Sequence, residues 1–262
     1  MYSVTQLLEG LEQLAPLQLA ESWDNVGLLL GDPTAPISRV LTCLTVTPAV
    51  AEEAIDKQCQ LIVSHHPILF KAVQRLTTSD SQGRMLWQLI RHNIAVYSAH
   101  TAYDSSAKGV NQQLAETFGL QAIQPLIPAP NDPAVGTGRY GQLPSPTTLH
   151  EFAAQVKGLL KAPQLHYAGR GDQLVQKVAV ACGAAGQFAS AAAQQGCDVF
   201  VTGEARFHGS LEAEALGIGL IVAGHYQTER PAVAQLATQL AAIFPGLSTC
   251  ASSADLDPLH WV

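Results

Sequence analysis

Short apolar runs that alternate with helical segments constrain the fold of this chain most. Such runs are Leu61–Ser64 and residues 94–99 in the first half, and Val199–Thr202 and residues 220–223 in the second. Strands that alternate with helices form right-handed βαβ crossovers, which place the strands parallel within one sheet. The pattern therefore predicts an α/β fold.

The order of the predicted elements in the second half repeats their order in the first half. A shift of 138 residues places residues 39–66 on residues 177–204 without a gap. Identity between the halves is low, so the repeat rests on the hydrophobic pattern and on the positions of polar residues. We expect two similar lobes from an internal repeat, each a mainly parallel sheet with flanking helices. The predicted lobes are residues 1–128 and 129–262, and the proline-rich residues 125–133 connect them.

Composition and charge exclude several classes of protein. Hydrophobic residues make up 47% of the chain and charged residues 13%, which favours a globular fold over disorder. The net charge of −7 and the pI near 5.6 argue against a nucleic-acid partner and against a nuclease. No apolar run approaches the roughly 18 residues of a membrane helix. The five cysteines form no C-x-x-C pair, which predicts reduced, buried thiols in a soluble, cytoplasmic protein.

Polar residues follow the apolar runs where the predicted strands end. In largely parallel sheets, polar sites gather beyond the carboxyl ends of the strands. Imidazoles and carboxylates delivered from such ends are the donors that a catalytic metal site uses. The sequence therefore predicts a metal site in the cleft between the lobes. The residues at these ends are His65, His66, His100, Asp104, Glu204, His208, His225 and Glu229.

The adjacent pair His65 and His66 can serve a metal site in two ways. Neighbouring side chains of a regular strand point to opposite faces, so the two imidazoles reach two nearby ions, or one ion if the backbone twists. Glu229 has an alternative role as an acid that complements a helix dipole. A shift of 125 residues, however, places Asp104 on Glu229. Pro231 predicts that the last helix starts near Thr228, because proline is tolerated in the first turn.

Three further residues have roles that the sequence leaves open. His100 either ligates, orients a ligand or faces the substrate. Glu204 and His208 are placed near the site, with His208 as a candidate proton donor or acceptor; the alternative is an acid at a helix start and a surface histidine. The turn at Trp23, Asp24 and Asn25 carries polar groups able to brace neighbouring loops.

Several motifs together resemble those of the Nif-three-like family, whose members are also called GTP cyclohydrolase 1 type 2 homologues. The motifs are Ser22-Trp-Asp-Asn-Val-Gly-Leu28, Ser64-His-His-Pro67, His100-Thr-x-x-Asp104, Gly203-Glu204 and Ala223-Gly-His-Tyr-x-Thr-Glu229. Ala102 departs from the pattern, since many members carry asparagine there, and this puts a substrate contact in doubt. Longer members carry a domain inserted between the lobes, for which the short connector leaves no room.

The resemblance implies a dinuclear metal centre between two α/β lobes and a ring-shaped homohexamer. The family's metal ligands map onto His65, His66, Asp104, His225 and Glu229. Three imidazoles and two carboxylates suit two divalent ions, with Zn, Fe, Mn and Ni all compatible.

Two functions follow from this ligand set. The first is a metal-dependent hydrolase of a nucleotide or another phosphorylated small molecule, which the family name suggests is GTP, opened at its guanine imidazole ring. In that hypothesis Glu204 or His208 moves protons. The alternative is a non-catalytic metal-binding protein, such as a metallochaperone, a sensor or a hexameric scaffold.

Overall fold

The computed structural model describes residues 1–261 as a mixed α/β protein with sheets and flanking helices. Its backbone forms two compact units. Unit 1 comprises Met1–Tyr103 and Arg230–Pro258, and unit 2 comprises Asp104–Glu229 with the last residues of the chain. Each unit therefore takes residues from both sides of the 128/129 boundary expected from the sequence.

Helices and strands alternate along most of the described chain. Its helices are α1 (Val4–Leu14), α2 (Pro48–Asp56), α3 (Ser81–Arg91), α4 (His100–Ser105), α5 (Val110–Thr117), α6 (Leu149–Leu159), α7 (Ala189–Gln194), α8 (Phe207–Ala215) and α9 (His225–Ile243). Its strands are β1 (Tyr2–Ser3), β2 (Gly27–Leu30), β3 (Pro36–Ile37), β4 (Arg39–Cys43), β5 (Leu61–Ser64), β6 (Ala95–Ser98), β7 (Gln121–Ala129), β8 (Asp132–Thr148), β9 (His166–Ala168), β10 (Leu174–Ala181), β11 (Val199–Thr202), β12 (Gly219–Val222) and β13 (Ser248–Ala251).

Unit 1 contains a five-stranded sheet in the order β13-β4-β5-β6-β2. The pairs between β13, β4, β5 and β6 are parallel, and β2 pairs antiparallel with β6. The mainly parallel sheet predicted for this part of the chain is confirmed. Every residue of β5 and β6 is buried, as expected for strands covered on both faces. Thr47 caps α2 and Pro48 occupies its first turn, which fixes where α2 begins.

Unit 2 contains a six-stranded sheet in the order β7-β8-β10-β11-β12-β9. Here β10, β11 and β12 are parallel, whereas β7, β8 and β9 join by antiparallel pairing, so this sheet is mixed and not mainly parallel as predicted. The proline-rich residues 125–133, predicted as an extended connector, lie instead in the β7–β8 hairpin. The prediction failed because closely spaced prolines are typical of linkers, and the hairpin is specified by pairing that a local pattern does not reveal.

The last helix, α9, starts at His225 and contains Pro231 in its interior. The predicted start near Thr228 is therefore wrong. Thr228 lies within the first turn, where its amide donates to Gly224 O at 3.2 Å and its hydroxyl to His225 O at 2.9 Å. Consequently His225 and Glu229 lie one turn apart on the same helix.

Helix length and apolar content exclude a membrane crossing by any helix within residues 1–261. All five cysteines lie in this part of the chain and are free thiols, four of them buried, as predicted.

Candidate metal centre

Three imidazoles come together where β5 and β6 end in unit 1. The His65 amide donates to Cys43 O at 2.9 Å and the His66 amide to Leu44 O at 2.8 Å, so strand pairing continues past β5. His100 follows β6, and its amide donates to His65 O at 3.0 Å. One ligand atom from each of His65, His66 and His100 lies within 4.8 Å of the others. The two adjacent histidines therefore contribute to one group.

Two of these imidazoles are oriented through their Nδ1 atoms. Nδ1 of His66 lies 2.7 Å from Oγ1 of Thr45, and Nδ1 of His100 lies 2.7 Å from Oδ1 of Asp24. A histidine held at one ring nitrogen directs the other nitrogen toward a metal ion in many metal sites. This arrangement suits ligation through Nε2.

Asp24 is a buried carboxylate at the centre of a small hydrogen-bond network. Its side chain is fully buried (0% exposed), and its second oxygen accepts from the Thr101 hydroxyl at 2.5 Å and the Thr101 amide at 3.2 Å. Burial alone would raise the pKa of Asp24, but hydrogen bonds from His100 and Thr101 outweigh it and lower that pKa to about 2. The role predicted for the Trp23–Asn25 turn, bracing neighbouring loops, is confirmed by these bonds.

A His/Glu cluster lies at the start of α9 in unit 2. His225 places Nδ1 at 2.7 Å from Oε1 of Glu204 and Nε2 at 3.0 Å from Oε2 of Glu229. Glu229 is buried, with 4% of its surface exposed, whereas Glu204 is exposed. Burial alone would lower the pKa of His225, but the two carboxylates raise it to about 9. The imidazole nitrogens face negative charge on both sides, which is also the environment that attracts a cation.

Asp104, the remaining predicted ligand, is held by contacts from Cys182, which follows β10, and from α5. Its Oδ1 accepts a hydrogen bond from Cys182 Sγ at 3.1 Å, and its backbone carbonyl accepts from Asn111 Nδ2 at 3.1 Å. Asn111 Oδ1 in turn accepts from the Cys182 amide at 2.8 Å. Burial, followed by the charges of Asp104 and Glu229, raises the pKa of the Cys182 thiol well above its ordinary value, so the thiol stays a donor.

The backbone beyond Asp104 is fixed by a buried arginine. Arg139 is 1% exposed, and its guanidinium donates to Ser106 O at 2.7 Å and Ser105 O at 3.2 Å. Burial lowers the pKa of Arg139 to about 10, which leaves it charged at neutral pH. The end of α4, which carries Asp104, is thereby tied to β8.

Glu204 and His208, the predicted proton-transfer residues, line one cavity in unit 2. The cavity measures about 600 Å³, and Arg206 also lines it. His208 is exposed on α8. Because Glu204 also contacts His225, the cavity opens beside the His/Glu cluster. Ala102, in contrast, is fully buried in α4 and offers no surface to a substrate.

The donor set fits a transition-metal ion of the Zn, Fe, Mn or Ni kind. Unit 1 groups three imidazoles, and unit 2 holds an imidazole with carboxylates. His100 and Asp104 lie four residues apart in α4. Of the predicted ligands, His65 and His66 belong to the first group, and His225 and Glu229 belong to the second.

Sequence reasoning missed Thr45, Asp24 and Cys182 as partners of the candidate ligands, and Thr101 as a partner of Asp24. Cys182 directly follows β10 and Thr45 lies two residues beyond β4, so the same strand-end rule that found the histidines would have found them. Asp24 lies 76 residues from His100, and no local pattern indicates that contact.

Comparison with known proteins places the chain in a family. The family model described as Duf34/NIF3 (NGG1p interacting factor 3) matches residues 2–258. A GTP cyclohydrolase 1 type 2 homolog of Clostridium acetobutylicum is 36% identical over 240 residues, covering 90% of this chain and 89% of that protein. A NIF3 homolog of Schizosaccharomyces pombe is 36% identical over 271 residues, covering 97% and 96%. The crystal structure of a hypothetical protein from Staphylococcus aureus has a TM-score of 0.90 at 30% identity and covers 99% of both chains. The chain therefore belongs to the Duf34/NIF3 family.

Proposed function

We propose that this protein binds two divalent metal ions and hydrolyses a nucleotide or another phosphorylated small molecule. The proposed ligands are His65, His66, Asp104, His225 and Glu229. The observation that carries the proposal is the position of His225. Its imidazole contacts Glu229, a proposed ligand, and also Glu204, which lines the neighbouring cavity.

Bound divalent ions would supply Lewis-acid activation of a water molecule and of a substrate oxygen. The protein's own residues have separable tasks. Thr45 and Asp24 orient the imidazoles of His66 and His100. Cys182 holds one oxygen of Asp104, which directs the other oxygen of that carboxylate.

Proton transfer falls to Glu204 and His208, because both line the cavity beside the cluster. Arg206 lines the same cavity and offers a planar, permanently charged donor that matches a phosphate. The names of relatives, GTP cyclohydrolase 1 type 2 homolog, support a guanine nucleotide as the first substrate to assay.

We also propose that the chain arose from an internal repeat, with the boundary between repeats at residues 128/129. Adding 138 to the bounds of β5 gives the bounds of β11, and each strand precedes a proposed ligand or proton-transfer residue. The compact units do not coincide with the proposed repeats, because β13, which belongs to the second repeat, pairs with β4 of the first repeat.

We further propose that the protein is a homohexamer located in the cytoplasm, as predicted from the sequence. Light scattering after size exclusion measures the first, and fractionation of cells measures the second.

The test is metal content per chain by mass spectrometry, with GTP turnover assayed on the same samples. The set comprises the wild type, His66→Ala and His92→Ala, the last as a matched control because His92 is an exposed residue at the end of α3. We expect about two ions in the wild type and the control. Loss of metal together with turnover is expected in His66→Ala.

A second pair of variants separates catalysis from binding. Glu204→Gln and His208→Ala should keep the metal content and lower kcat by a factor of about 10² to 10⁴. Bound metal without turnover of any phosphorylated substrate would favour the non-catalytic metal-binding protein. If the chain takes up no metal, even after reloading, both the hydrolase and the non-catalytic metal-binding protein are contradicted.

A further inference from the structure

Two large aromatic side chains are exposed beside the three-imidazole group. Trp23 is 60% exposed and Phe70 is 52% exposed. Neither belongs to a helix or strand of unit 1. Two aromatic rings that are exposed side by side offer flat apolar surface on which a ligand can pack, in contrast to hydrophobic residues scattered singly over a surface.

These two rings form a cluster with His100. Ring centroids of Trp23 and Phe70 lie 6.1 Å apart at 65°. His100 lies 6.0 Å from Trp23 at 79° and 6.4 Å from Phe70 at 87°. Because all three pairs meet edge to face, none of these rings stacks flat on another. Since Trp23 and Phe70 are each more than half exposed, ring surface remains available to a flat ligand.

The loops that carry the cluster are tied together. Asn25 Nδ2 donates to Leu69 O at 2.7 Å, which joins the Trp23 loop to the Phe70 loop. Asp24, next to Trp23, binds His100 Nδ1 at 2.7 Å. Hydrogen bonds thus fix the residues adjacent to both rings. A platform held in this way loses little conformational entropy when a ligand binds.

We propose that Trp23 and Phe70 form a subsite for the purine base of the substrate nucleotide; this rests on the proposed function and names its substrate class. Stacking on an aromatic side chain suits a base, because every base has a flat π face. His100 belongs to both the aromatic cluster and the imidazole group. A base stacked on the cluster therefore lies next to the proposed metal centre.

The experiment compares guanosine 5′-monophosphate with ribose 5-phosphate, which lacks the base, by calorimetric titration. Both probes are titrated into metal-loaded protein and into protein in chelator. We expect the wild type to bind the nucleotide about 10- to 100-fold more tightly than ribose 5-phosphate. Trp23→Ala should reduce this ratio to near one, and Trp23→Phe should retain most of it. Trp87→Ala is the matched control, since Trp87 is a 45% exposed tryptophan on α3, and it should keep the full ratio.

Three outcomes overturn the subsite. They are equal affinity of the wild type for both probes, a ratio that survives Trp23→Ala, and a change of molar mass in Trp23→Ala that marks the rings as a subunit contact. Failure of the proposed function gives a different result. If the protein binds no metal but still binds the nucleotide more tightly than ribose 5-phosphate in chelator, the proposed function fails and the subsite stands. If metal-loaded protein hydrolyses its substrate but binds both probes equally, the proposed function stands and the subsite fails.

Discussion

Replacing Arg139 by methionine tests how far one buried guanidinium supports unit 2. Methionine replaces the aliphatic part of the arginine side chain and removes every donor. The donors serve five oxygens, all between 2.7 and 3.2 Å: Gln112 Oε1 and the carbonyls of Ser105, Ser106, Gly136 and Gly138.

The expected loss follows from opposing contributions to the free energy of unfolding. Each hydrogen bond from a charged donor contributes about 1.5–3 kcal/mol, and an acceptor left buried without its donor costs about 1–3 kcal/mol. Burying an ion costs several kcal/mol, and methionine removes that cost. Each of the four carbonyl oxygens has a second lone pair, which reduces the cost of losing the hydrogen bond from Arg139. We expect Arg139→Met to lower the free energy of unfolding by about 4 kcal/mol.

Urea unfolding followed by circular dichroism, in chelator, measures this difference without a contribution from bound metal. Arg170→Met is the matched control, because the Arg170 side chain is 80% exposed and its ion pair with Asp172 spans 3.5 Å. It should change stability by less than about 0.5 kcal/mol. Arg139→Lys should recover only part of the loss, because an ammonium has three donors and no planar fork. An Arg139→Met protein within about 1 kcal/mol of the wild type would refute the reasoning, since the bonds would then only offset desolvation.

Three further predictions concern the site, the pH response and the metal. Gly183→Ala should lower metal affinity at least about tenfold, because φ of Gly183 is +62° and an added Cβ would overlap with Oε1 of Glu229. Gly196→Ala is the control, because Gly196 has a similar φ of +69° but open space around it. This variant should lose only about 1–2 kcal/mol of stability and keep its metal binding. Burial alone would raise the pKa of Glu53, but hydrogen bonds, first from Lys57, hold it below its ordinary value of 4.5. Since the folded pKa is depressed, the stability that Glu53 contributes is present above pH 4.5 and is lost as pH falls through the folded value. Glu53→Gln should therefore lower the unfolding free energy by about 2 kcal/mol at pH 7, and the difference from wild type should narrow toward pH 3 in thermal melts; a constant difference would contradict this assignment. Removal of metal from loaded protein with a chelator should lower Tm. When the free ion concentration is about one hundred times Kd, binding contributes about 2.7 kcal/mol to the free energy of unfolding, and chelation removes this contribution. An unchanged Tm would show that the site does not bind the ion added.

The fully buried parallel strands β5, β6, β11 and β12 were predictable because their residues carry a local signal, whereas β13, which is parallel but only partly buried, was not predicted. The bounds of β5 and β11 match the apolar runs residue for residue, since every side chain in them is buried. The prediction that polar residues gather at strand ends also located His65 and His225. Both are properties of short segments, which a single sequence displays directly.

The antiparallel strands were not predictable in the same way. β7 contains prolines and mostly exposed side chains, so its sequence resembles a linker, and only its pairing with β8 makes it a strand. The start of α9 was mispredicted because Pro231 is accommodated in the helix interior. The partners that orient His66 and His100 depend on contacts between distant segments, which spacing along the chain does not encode.

The prolines of β7 have a consequence for how copies of this protein can associate. β7 is the outermost strand of its sheet, and Pro125 and Pro128 occupy two of its nine positions. Proline offers no N–H, so an incoming strand meets gaps in the row of donors at this edge. Aggregation by strand addition is thereby disfavoured. The β7 edge is thus a closed border of its own sheet, and copies that meet there would associate through side chains rather than through a shared sheet.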